Sequence, residues 1–248
     1  MKFLISRILP GIAVFLMYLV FVSCEKEDDN RTNYTFDYGS IVDIEGNTYR
    51  TIAIGTQEWM ADNLKTATYN DGTPIYLEEN PENWSENLIG AYCEYDENED
   101  FENYGVLYNY YAVNTNKLCP DGWHVPSEED WQTLELFLGM SQANIDITGF
   151  HGHNEGSMLA GGASLWQNDV LTNNQEFGSS GFNALPSGGC SIDGIIDNLG
   201  NFCSWWSTSP YLYDSTKTWY RGLLYDESRI LRSGSPKYLG RSVRCVKN

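Results

Sequence analysis

Between residues 41 and 60 apolar and polar positions come in short bursts. Ile41-Val42-Asp43-Ile44 runs into Glu45-Gly46-Asn47, a second run spans Tyr49 to Ile54, and Glu58-Trp59-Met60 follows Gly55-Thr56. Brief β-branched and aromatic runs bounded by Gly and Asn predict a small antiparallel meander. Asn70-Asp71-Gly72-Thr73 predicts another tight turn, and residues 78–103 read as an acidic surface excursion. The spacing becomes helical after Pro126. Ser127 is a good N-cap, Asp130 three residues on completes a capping-box pattern, and Glu128, Glu129 and Asp130 suit the positive end of a helix dipole. Trp131, Leu134, Phe137 and Leu138 are expected on one face, with Gly139 ending the helix. A shorter helix is expected over Glu155–Ala160, stopped by Gly161-Gly162, and strands and turns from Gly181 onward. No long linker and no equal-length repeat follows residue 40. Residues 41–248 therefore read as one α+β domain, a mainly antiparallel twisted sheet with one or two packed helices and long loops.

The N-terminus follows another pattern. Lys2 and Arg7 precede an apolar run from Ile8 to Val22, interrupted only by Pro10 and Gly11. That run falls short of the ~20 residues a membrane span needs and suits a signal peptide. Val22-Ser23-Cys24 resembles a lipobox, which implies cleavage after residue 23 and a diacylglycerol on Cys24. This lipid is then the expected link to a membrane. Residues 24–40, opening with Glu25–Asn33 (EKEDDNRTN), read as a flexible acidic tether. A Lys followed by acids just after the lipidated Cys resembles the surface-export signal of Bacteroidota lipoproteins, which implies an outer-membrane protein facing outward.

Charge and composition narrow the partners. A net charge of −19 repels nucleic acid and anionic lipid, so neither is expected. Aromatic residues at 14% together with 23 Gly favour short strands and tight turns over long helices.

Several longer stretches carry a resemblance. They are DIEGNTYRTIAIGTQEWMADNLKTATYNDGTPI from Asp43 to Ile75, Tyr104-Gly105-Val106-Leu107-Tyr108-Asn109, LCPDGWHVPSEEDW from Leu118 to Trp131, GFNALPSGG over 181–189, Trp205-Trp206-Ser207 and the terminal RSVRCVKN. In this order they resemble the Fibrobacter succinogenes major paralogous domain, a family of secreted Bacteroidota and Fibrobacterota proteins. That family looks like a branch of the C-type-lectin-like fold related to formylglycine-generating enzymes. HVPSEEDW is similar to the start of those enzymes' helix, NLGNFCSWW to their Gly-Asn-Val-Trp-Glu-Trp segment, and Arg244-Cys245-Val246 to their last strand. The resemblance implies adhesion or polysaccharide binding at the cell surface.

Five cysteines follow Cys24, and an exported chain meets an oxidising compartment. The lectin-like resemblance implies a Cys119–Cys245 bridge between the helix-entry region and the last strand. Cys190 and Cys203 flank SIDGIIDNLGNF, whose turn residues suggest a hairpin and hence a cross-strand pair. Cys93 is left as a small buried apolar residue.

Catalytic patterns are weak. Formylglycine-generating chemistry needs two reactive thiols near the C-terminus that bind copper. Leu231–Gly240 has no Cys, and Cys245 is claimed by the bridge, so that activity is not carried over. His151 and His153 in FHGHNEG would share a face on a strand, but no third ligand is set by spacing, and a polar loop is the expectation. His124 is expected to hydrogen-bond locally. No carboxylate pair stands out for glycoside hydrolysis, and GSMLAGG lacks the Lys of a phosphate loop. The sugar-binding tripeptides of C-type lectins do not occur, and Asn80-Pro81-Glu82 lies too far toward the N-terminus. Glu94–Asp100 offers hard oxygen ligands without the spaced Gly of a calcium loop. No cofactor is expected beyond, at most, a structural Ca²⁺.

Rings among turn residues are the remaining ligand-binding candidates: Trp84, Trp166, Tyr211, Tyr213 and Trp219. Two coplanar rings in one groove would mark a glycan platform. Trp205 and Trp206 must point to opposite faces of a strand. The expected function is a non-catalytic binding or adhesion module for glycan or protein. The alternatives are an enzyme with an unrecognised site, betrayed by a deep pocket with convergent polar groups, and a purely structural surface lipoprotein.

Overall fold

The computed structural model describes residues 34–95 and 102–248. The signal peptide, Cys24, the first part of the tether and most of the Glu94–Asp100 run lie outside the described residues.

The meander forms as its turns dictate: β1 (Gly39–Val42), β2 (Thr48–Ile54) and β3 (Gln57–Met60). Then come β4 (Tyr76–Leu77), β5 (Ala91–Cys93), β6 (Leu107–Tyr108) and a helical turn, α1 (Tyr110–Val113). β7 (Trp123–His124) leads into α2 (Glu128–Phe137), and β8 (Gly149–His151) precedes the short α3 (Glu155–Leu159) and α4 (Val170–Asn173). The rest is sheet: β9 (Gly189–Cys190), β10 (Ile196–Asp197), β11 (Phe202–Pro210), β12 (Lys217–Leu224), β13 (Glu227–Pro236) and β14 (Val246–Lys247).

The architecture is α+β with mainly antiparallel sheets. One sheet runs β1-β2-β3-β14-β7 and another β11-β12-β13-β8, with smaller ones β4-β5-β6 and β10-β9. β14 lies between β3 and β7, with Val246 opposite both Trp59 and His124. The last residues of the chain thus close the sheet that the meander begins. Cys119 and Cys245 form a disulfide across 126 residues, tying the approach to β7 and α2 to that last strand.

β11 divides two apolar clusters. Trp205 joins Trp59, Trp131, Phe182 and Leu223 on one side, and Trp206 joins Tyr108, Tyr110 and Val243 on the other. Both tryptophans are fully buried. The alternation of a strand therefore feeds two layers, rather than one core and one surface. Trp131 lies 4.9 Å from Trp59 and 6.0 Å from Trp205, in the tilted geometries that aromatic quadrupoles prefer.

Three expectations change. The packed region begins before residue 41. Phe36 and Tyr38, two apart, lie against the first cluster, and the Tyr38 hydroxyl donates to the Gly181 carbonyl at 2.9 Å. On α2, Trp131 and Leu134 are buried but Phe137 is 62% exposed, and Glu135 takes the inner position. Its carboxylate is drawn inward by Arg221, while the Phe137 ring covers Gly55. Cys190 and Cys203 are not bonded. The turn signals do make a hairpin, but it closes at Cys190 opposite Ile196. Asn198 then starts a new turn, and Cys203 sits on β11 opposite Leu223, facing the tryptophan cluster.

Candidate functional site

The five candidate rings separate by burial. Trp84, Trp166 and Trp219 are buried, which corrects their assignment as exposed ligand contacts. Trp84 fills a small cluster with Ala91, Leu107 and Cys190, and Trp166 packs in the main core with its Nε1–H donating to the Gly161 carbonyl at 3.0 Å. Trp84 is the buried residue of a helical turn over Pro81–Glu86 and Trp219 lies within β12, so proximity to turn residues did not mean exposure.

Tyr211 and Tyr213 remain, together at the tip of the β11–β12 hairpin. β11 carries an irregularity between Trp206 and Pro210 that reshapes its end. Tyr211 lies over Gly234, where a Cβ would come within 2.6 Å of the ring, so the glycine on β13 makes its seat. Trp219 supports it edge-on at 4.5 Å, and Arg232 stacks on Trp219 at 3.9 Å. Tyr213 stands against Tyr211 at 5.3 Å, inclined by 70°. Tyr213 is 76% exposed and Leu212 beside it 78%. The loop itself is ordered: the Asp214 carboxylate accepts from the Thr216 amide at 3.0 Å, and Lys217 N–H donates to the Asp214 carbonyl at 3.0 Å. Hydrogen bonds from Thr216 hold the Asp214 carboxyl below the usual range. The tip is thus a propped apolar projection, and its two rings are not coplanar.

A polar hollow of about 410 Å³ is lined by Tyr49, Arg50, Asp62, Asn63, Lys65 and neighbouring residues. Arg50 and Asp62 within it are already paired with each other. Arg50 grips Asp62 at 2.5 and 3.1 Å. Burial opposes ionisation of Asp62, but Arg50 outweighs it and holds the carboxyl below the usual range. Asn63 at its floor is a hub. Its Oδ1 accepts from Trp205 Nε1 at 3.0 Å and Arg244 Nε at 2.9 Å, while its amide donates to the Tyr104 carbonyl at 2.9 Å and Ser242 Oγ at 3.2 Å. Arg244 is buried against Phe182 and Trp205 and donates to the carbonyls of Phe182 and Asn183. Burial lowers its pKa to about 10, which leaves it charged at neutral pH. The stretches WMADNL, GFNALP and RSVRC thus converge on one buried guanidinium.

A second buried charge cluster was missed by sequence reasoning. Glu128 and Glu135, two turns apart on α2, face β12 and β13. Arg221 meets Glu128 at 2.6 Å and Glu135 at 2.5 Å, and Arg232 meets Glu128 at 2.8 Å. His151 Nε2 lies 3.5 Å from Glu135. The only signal was two acids seven apart on a helix otherwise read by its apolar stripe.

His151 is therefore core-facing and His153 exposed, so the two do not share a metal site. His124 makes the expected local contact, to Asp130 at 3.1 Å, and also a long-range one to Asn248 at 2.7 Å. Among the described residues no group of three His, Cys, Asp or Glu is placed to hold a metal ion, and no helix is long and apolar enough to cross a membrane.

This is a two-layered α+β scaffold whose motif residues build its frame. Residues 52–247 match the Fibrobacter succinogenes major domain, and the chain belongs to that family. No curated protein matches it, and no solved structure matches it.

Proposed function

We propose that the protein is a non-catalytic surface binding module, held to the outer face of the outer membrane by a lipid on Cys24, that meets its ligand with the β11–β12 hairpin tip. The observation that carries this reading is the pair Leu212 and Tyr213, exposed on a loop whose base is propped by Tyr211, Trp219 and Arg232. Exposed apolar side chains on an ordered support lose little conformational entropy on binding. An aromatic anchor of this kind gains most by filling a partner's pocket. The 70° between Tyr211 and Tyr213 disfavours a flat sugar platform, so a protein or glycoprotein surface is the favoured ligand and a free polysaccharide the second choice. The pairing of Arg50 with Asp62 in the polar hollow leaves that acid and base engaged with each other, which favours binding over catalysis.

The test is retention on immobilised host glycoproteins and polysaccharides. Wild type is expected to be held by at least one glycoprotein, and L212A and Y213A to weaken retention roughly ten-fold or more, the scale of an interface hot spot, without lowering the melting temperature. Retention by polysaccharide alone would move the ligand class to glycan. Retention insensitive to both substitutions would overturn the assignment to the hairpin.

A further inference from the structure

Cys93 and Cys190 are distant in sequence, on β5 and β9, yet share one small buried cluster with Trp84, Ala91 and Leu107. The backbone explains why. Cys93 is opposite Leu107 across β5 and β6. Tyr108 exchanges backbone hydrogen bonds with Arg241 at 2.9 and 3.0 Å, and Gly240 exchanges them with Cys190 at 2.9 Å each. β9 is thereby fastened to the far side of the β6 ribbon through residues 240–241. Gly240 has no side chain to separate the two. A Cβ there would sit 2.5 Å from the Cys190 Cβ and 3.3 Å from the Leu107 Cβ. The close approach that this glycine permits brings Cys190 against Leu107, the cross-strand neighbour of Cys93, so that the two thiols, both free in the structure, share one buried cluster.

We propose that Cys93 and Cys190 form a second disulfide of the exported protein, leaving Cys203 as its one core thiol. The inference rests on the export reading for the oxidant, a protein or small-molecule disulfide of the extracytoplasmic compartment. One cysteine thiolate attacks a sulfur of that disulfide, breaking its S–S bond, releasing one thiolate and forming a mixed disulfide. The second cysteine, deprotonated, attacks the protein-side sulfur and expels the other thiolate. Two electrons pass from the cysteines to the oxidant, and the two protons end on the two released thiols. The neighbouring Cys190 thiol and burial together hold the Cys93 thiol well above its usual range. Attack therefore belongs to the folding chain, before the cluster closes.

The full-length protein, reduced and refolded in a glutathione redox buffer, is trapped with an alkylating reagent and mapped by mass spectrometry without reduction. Scoring is confined to molecules in which Cys119–Cys245 has formed. The Cys93 peptide is expected linked to the Cys190 peptide, in wild type and in C203S alike, with Cys203 alkylated. Alkylation of both Cys93 and Cys190 in such molecules, or a Cys190–Cys203 link, would overturn the proposal. A failure of export shows itself separately, as reduced thiols in cells alongside a normal link after refolding.

Discussion

Asn63 makes four hydrogen bonds through one amide, and all of them are buried. Replacing it by Leu of similar volume strands the Arg244 Nε–H, the Trp205 indole N–H and the Tyr104 carbonyl. At ~1–3 kcal/mol per unsatisfied buried group, N63L is expected to lose about 3 kcal/mol or more in denaturant unfolding, and a change within about 0.5 kcal/mol, the range of ordinary surface substitutions, would contradict the hub. Glu135 gives a pH signature. Burial opposes its ionisation, but Arg221 and then His151 outweigh that, and its carboxyl is held below the ordinary 4.5. A depressed folded pKa means its stabilisation is complete above the unfolded value and fades as pH falls through the folded one. E135Q should therefore cost about 3–5 kcal/mol at pH 7, the range for breaking a buried pair. The gap to wild type should narrow steadily in unfolding curves taken below pH 4.5, and a gap constant with pH would remove Glu135 from the charge cluster. These residues mark where the sequence stopped being legible. The stretches holding Asn63 and Arg244 stood out by resemblance, but nothing in their spacing showed that they meet. Nothing local to Glu135 or Arg221 marks them as partners, because they lie on elements far apart in the chain.

At the scale of elements, helix α2 was the most legible feature because its start is written locally. The Ser127 hydroxyl accepts from the Asp130 amide at 3.2 Å, and the Asp130 carboxylate accepts from the Ser127 amide at 2.8 Å. S127A is expected to lose about 1 kcal/mol, measured by chemical denaturation, with S127D recovering most of it. No loss in S127A would mean the helix start is held by its packing alone. The β1–β3 meander was equally readable, since its turns are short and its register follows from alternation. The β9–β10 hairpin was read correctly as a turn, but its second strand was carried too far, to Cys203. A turn signal fixes where a chain reverses and leaves open where pairing stops, and the tight turn from Asn198 to Gly200 ends it. The exposed ring of Tyr213 and the half-buried ring of Tyr211 beneath it were legible only as part of a larger set. Burial, which separates them from Trp84, Trp166 and Trp219, is a tertiary property.

For the whole molecule, the long covalent link and the pairing of β14 with β3 and β7 make the two ends of the domain one unit. In the chain-entropy account, opening a loop of this length costs about 4–5 kcal/mol. C119S should lower stability on that scale under oxidising conditions and by much less in reductant, where wild type loses the bridge too. Equal destabilisation in both conditions would point to lost packing instead. The proposed surface binding module requires a chain held outside the cell by a lipid on Cys24. Metabolic labelling with palmitate in a Gram-negative host tests that most directly. Label is expected on the wild-type protein and absent from C24A. An unlabelled wild-type chain, or label that survives in C24A, would contradict the account.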